Sequence, residues 1–184
     1  MKESTTAELY LSFATIFHRP HPEVVNHLEE LIELWEEEIP DIMEPLAALK
    51  KFCQIYAPGE TRINTLWEHY IPLFETGSVE APPFASIYLS GDGLVLGTET
   101  IAVQTFYNSA GYAMGEKAEQ LPDHLAIELE FLALLARDGE EVLLENFRQK
   151  HLIPFLTKIL PRIKNGSRPV YSSVAQILQS WQLG

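Results

Sequence analysis

Apolar residues in this chain recur at helical spacing from one end to the other, with one long break, and that periodicity constrains the fold more than any motif does. Thr5 and Glu8 have capping-box spacing, and Leu9, Phe13, Ile16 and Phe17 then form a stripe that should end near Pro20. Pro22 suits the first turn of a second helix. Its inner face would be Val24, Val25, Leu28, Leu31, Leu34 and Trp35, with Glu29, Glu30, Glu33, Glu36 and Glu37 mostly in water. Asp41 and Glu44 offer caps for a third helix bearing Leu46, Leu49, Phe52 and Tyr56, closed by Pro58-Gly59. A fourth runs from about Arg62 to Phe74, where Pro72 should end or kink it. Further helices are expected over 98–113, 122–136, 140–163 (bent by Pro154 or Pro161) and 170–181. Seven or eight helices and almost no strand predict an all-α globule, a single domain over residues 1–184.

The break covers residues 76–97. It holds Gly77, Pro82, Pro83, Gly91, Gly93 and Gly97, yet it also carries Phe84, Ile87, Tyr88, Leu89, Leu94, Val95 and Leu96, which need something to pack against. Loops of this length inside a compact domain are uncommon and often functional. Gly91-Asp92-Gly93 is a weak signal for a short strand pair.

Composition removes several function classes. The chain has 184 residues, 46% of them hydrophobic, as befits a globular protein. No run of apolar residues is long enough to span a membrane. The start of the chain lacks a basic region followed by an apolar one, so no secretory leader is expected. The single cysteine, Cys53, excludes an internal disulfide and any paired-cysteine motif. A cytoplasmic location is the expectation. The formal charge of -13 argues against nucleic acid, whose phosphates need a cationic footprint. All 26 acids lie in residues 1–145, whereas residues 146–184 hold six basic residues and no acid. Long-range attraction would favour docking of that tail on the body; plain solvated surface is the alternative.

Leu121 to Leu132 is the segment richest in chemistry. Asp123 is expected in the first turn of a helix, where the dipole and free N–H groups favour a carboxylate. His124 and Glu128 are four apart and share a face with Ile127, Phe131 and Leu135. They would sit, partly desolvated, at the margin of an apolar stripe; a cap and a local pair are the plain alternative. A metal is not expected, because no HExxH or second Glu-x-x-His motif is present. Neither a nucleophile elbow nor a phosphate loop appears. What remains is a binding module. Trp67, Tyr70 and Phe74, with Pro82, Pro83, Phe84 and Tyr88 after them, suit an apolar peptide with a basic end, whose arginines would meet Asp123 and Glu128. The competing reading is that these rings are core.

Two segments resemble a known family. Tyr70-Ile71-Pro72-Leu73-Phe74-Glu75, followed by Ala81-Pro82-Pro83-Phe84-Ala85-Ser86-Ile87-Tyr88, is similar to the Y-x-x-L-F…PP-x-x-S-x-Y pattern of the TorD/DmsD/NarJ chaperones. Pro122-Asp123-His124-Leu125 with Glu128-Leu129-Glu130-Phe131-Leu132 resembles their P-D-H-[LI]-x-x-E-L-x-F-[LM] helix. Phe147 with His151-Leu152-Ile153-Pro154-Phe155 resembles F-x-x-x-H-L-x-P-W, with Phe155, like Phe84, where tryptophan is usual.

The resemblance implies an all-helical cytoplasmic chaperone without catalytic turnover and without a cofactor of its own. It implies binding of the twin-arginine signal peptide of a molybdoenzyme subunit, whose apo-form is held until molybdopterin is inserted and export is allowed. Some members have been associated with guanine nucleotides and with domain-swapped dimers, so a homodimer stays open. Peptide-binding residues would be Trp67, Tyr70, Phe74, Pro82, Pro83, Phe84, Tyr88, Asp123, His124 and Glu128, in a groove between the 76–97 loop and the Asp123 helix. The alternatives are a small all-α metal- or nucleotide-dependent enzyme using His124 and Glu128, and an adaptor for amphipathic helices that ignores arginine.

Overall fold

Helical periodicity is realised throughout a computed structural model that describes residues 3–76, 78–115, 120–165 and 168–184. Gly77 of the 76–97 segment lies outside the described residues. Helix α1 (Glu3–Phe17) starts before Thr5, so the expected capping box lies inside it. The second expected helix is two: α2 (Pro22–Asn26) and α3 (Leu28–Glu38), broken at His27 (φ −108°, ψ 19°). Asn26 and His27 are weak helix formers at the junction. Helix α4 (Met43–Ile55) has Ile42 at its N-cap, with no side-chain hydrogen bond there. Asp41 instead turns the chain at φ 59°, a region aspartate tolerates.

Helix α5 (Glu60–Phe74) contains Pro72 and ends two residues after it. The 76–97 segment holds a helix without a sequence stripe, α6 (Ala85–Leu89), and no strand pair forms at Gly91 and Gly93. There follow α7 (Thr98–Ser109), α8 (Leu125–Arg137) and α9 (Glu141–Phe147). A π-helical turn (Arg148–Leu152) then leads into α10 (Ile153–Asn165). The wider turn comes just before Pro154, which cannot donate into a regular helical ladder. Helix α11 (Pro169–Leu183) ends the chain.

The chain divides into two compact units, Met1–Phe17 with Pro83–Lys158, and His18–Pro82 with Ile159–Gly184. In the first, α1 lies along α8. Leu9 and Phe13 of α1 and Leu125, Leu129, Leu132 and Leu135 of α8 are all fully buried there. Each such side chain contributes about 1.5–3 kcal/mol by leaving water. Tyr107, Phe131 and Phe147 join α7, α8 and α9 through ring contacts of 4.2 and 4.9 Å.

In the second unit α4 packs on α3 and α11. Trp35, Leu49, Val174 and Leu178 are wholly buried there. Arg168, from the basic tail, pairs with Glu80 at 2.8 Å. Among the described residues no helix is long and apolar enough to cross a membrane.

Candidate functional site

Within the first unit the two strongest sequence motifs are bound to each other. Phe84 and His124 form an isolated antiparallel bridge. Leu125 N donates to Pro83 O at 2.8 Å, and Ala85 N donates to Asp123 O at 2.9 Å. Proline has no N–H, so its carbonyl is the only backbone group Pro83 brings to this clamp. The Pro122 carbonyl accepts from the Tyr107 hydroxyl at 2.9 Å. The ring of Phe84 meets His124 edge-on at 5.3 Å.

Asp123 differs from its expected role. Helix α8 begins at Leu125, and its N-cap is His124, whose Nδ1 accepts from Ala126 N at 3.2 Å. Asp123 precedes that cap. Its Oδ2 instead accepts from Ser86 N at 2.8 Å, in the first turn of α6. The carboxylate therefore supports a helix 37 residues earlier in the chain.

Asp123, His124 and Glu128 are all buried, so the expectation of carboxylates lining an open recess is corrected. Both Glu128 oxygens, Asp123 Oδ1, Ser86 Oγ and Thr100 Oγ1 are buried with no hydrogen-bond partner among the described residues. Burial, reinforced by the charges of Asp123 and Glu99, pushes the Glu128 carboxyl well above the usual carboxylate range. Burial likewise raises the Tyr107 phenol, with Glu128 and Asp123 adding to it. His124 caps α8 and is shielded from solvent. Among the described residues no three metal-ligating side chains come together.

The other expected residues divide by unit. Pro83 is buried, whereas Phe84 and Tyr88 are half-buried. Tyr88 lies 5.6 Å from the ring of Phe155, which is fully buried. Trp67, Tyr70, Phe74 and Pro82 belong to the second unit. Tyr70 and Phe74 are core there, against Tyr171 at 6.0 and 5.5 Å, so they present no surface to a peptide. Trp67 and Pro82 remain half-buried.

The third motif also has a partner that spacing could not reveal. His151, on the π turn, bonds Glu99 at 2.7 Å and lies against Phe147 at 4.9 Å. Glu99 reads in sequence as an ordinary first-turn acid of α7.

Pro83 to Tyr88, the Asp123 helix and the Phe147–Phe155 segment thus belong to one unit, and residues 36–160 match the family described as nitrate reductase delta subunit. The chain belongs to that family. It is the NarJ/TorD type of redox-enzyme maturation chaperone, so the resemblance carried by Pro82-Pro83 and Pro122-Asp123-His124 stands. The fold is similar to the crystal structure of a protein assigned to redox enzyme maturation from Archaeoglobus fulgidus. The TM-score is 0.67 at 23% identity, over 97% of this chain and 94% of that one. For a member of the delta subunit family, the clamp joins two signature segments into one rigid piece of the first unit.

Proposed function

We propose that this chain binds the twin-arginine signal of a redox-enzyme subunit and holds the apo-subunit back until its molybdopterin cofactor is in place. Membership of the delta subunit family over residues 36–160 carries the reading. The charge of -13 supports it, because an acidic body draws a doubly cationic leader from a distance. Burial gives Asp123 and Glu128 a different part from direct contact. Asp123 fixes α6, and of the expected aromatic residues in that unit Phe84 and Tyr88 are half-buried and within reach of a peptide. Trp67 and Pro82 are the corresponding candidates in the second unit.

The test is titration of the full chain with a fluorescent peptide that has adjacent arginines followed by an apolar stretch. Binding should weaken as salt is raised and should drop when both arginines become lysine, which lacks the planar fork. Equal affinity for the arginine, lysine and scrambled peptides would overturn the reading in favour of a general adaptor.

A further inference from the structure

The exposed side chains of α7 carry no charge. Thr98, Ile101, Ala102, Thr105 and Asn108 face water at the spacing of one helical face, while Thr100, Val103 and Tyr107 are buried. Residues 93–115 hold a single charged side chain, Glu99, and His151 is bonded to it at 2.7 Å. Ile101 has 66% of its surface in water. Its N–H donates to Gly97 O, so it stands one turn on from the loop that precedes the helix. In that loop Leu94, Val95 and Leu96 are exposed as well. Leu96 stays outward at φ 64°, a conformation that costs a leucine energy. On α3, by contrast, the exposed positions are Glu30, Glu33, Glu36, Glu37 and Glu38.

Charge selects the occupant. Two copies of a chain of charge -13 repel wherever their acidic sides approach. The outer face of α7 brings no carboxylate to such a contact beyond Glu99, which His151 holds. An uncharged apolar face is complementary to itself across a two-fold axis. A cationic leader or an anionic lipid headgroup meets no opposite charge there. Size sets the strength of the pairing. Helix α7 has 12 residues, so even with the loop before it the face falls short of the roughly 20–30 residues a side of a standard interface.

We infer that two copies of this chain pair weakly, face to face, through the outer side of α7 and the Leu94–Leu96 loop. Each copy keeps all of its own helices, so no segment is exchanged.

Sedimentation of the full chain, from low micromolar to near-millimolar concentration, tests this. A monomer–dimer equilibrium should appear and should strengthen as salt is raised, because salt screens the repulsion between two acidic bodies and leaves the apolar contact as it is. Ile101→Glu and Ile101→Lys should each weaken pairing at least about tenfold, with an unchanged melting temperature, by placing an unpaired charge in the contact. An equimolar mixture of the two variants should associate again, since opposite charges then face each other. The control Val142→Glu, at an exposed residue of α9, should leave the equilibrium as it is. A chain that stays monomeric throughout overturns the inference. So does a dimer that both Ile101 variants leave intact, which points to exchanged segments or another face. A mixture that stays monomeric overturns it too, because the face then docks on something other than itself.

Discussion

Each unit of this chain buries a charged-type side chain completely, and the two are treated in opposite ways. In the second unit Arg62 has no solvent exposure, and each of its N–H groups has an acceptor. Glu29 takes two of the bonds at 2.6 and 2.7 Å, and the carbonyls of Tyr56, Val25 and Cys53 take the rest. In the first unit Glu128 is just as deep and neither oxygen has a hydrogen-bond partner among the described residues. A satisfied buried ion locks α5 to the chain around it, whereas a buried carboxyl without a partner weakens its surroundings. Stability alone explains Arg62. It does not explain Glu128, which sits within the family's signature helix.

The largest effect should come from breaking the satisfied site. Arg62→Met leaves three carbonyls without their donor and should destabilise the chain by about 3 kcal/mol, read as a lower urea midpoint. Glu128→Leu should act in the other direction. Removing an unbonded buried carboxyl for an apolar group of similar size should add roughly 1–2 kcal/mol near neutral pH in the same assay.

Acidity separates the two carboxylates further. Glu29 is held below its ordinary value of 4.5 by its bonds to Arg62, so its stabilisation is present above that value and lost as pH falls. Glu128 is raised above 4.5 by burial, so the stability linked to its proton is full below 4.5 and declines as pH rises toward its folded value. Urea midpoints from about pH 4 to 8 should therefore fall less on the alkaline side for Glu128→Gln than for the unaltered chain. A smaller effect is expected at Asp123. Asp123→Ala removes the bond to Ser86 N and should cost about 1 kcal/mol, seen as faster hydrogen exchange of α6 amides with the rest of the first unit protected.

Much of the fold was legible beforehand. The stripes at Leu9–Phe17, Leu46–Phe52 and Leu125–Leu135 each became a helix, because apolar period is a local property. The helix in the 76–97 segment was not, since Ala85–Leu89 is too short to show a period. The break at His27 and the π turn before Pro154 shifted boundaries without changing the class. Of the candidate site, spacing along the chain misplaced the depth of Asp123, His124 and Glu128. Tyr70 and Phe74 followed the commoner fate of rings at helical spacing and went to the core.

By itself the sequence determined the helices, the acidic balance and the three motif segments, all of which depend on neighbours along the chain. Only the tertiary structure decided that Asp123 bonds the first turn of α6 rather than capping its own helix, and that Glu128 is shut away with no hydrogen-bond partner among the described residues. Those outcomes depend on which backbone lies opposite, as α1 lies along α8 and Pro83 against Leu125, and no spacing within a single helix encodes its opposite wall.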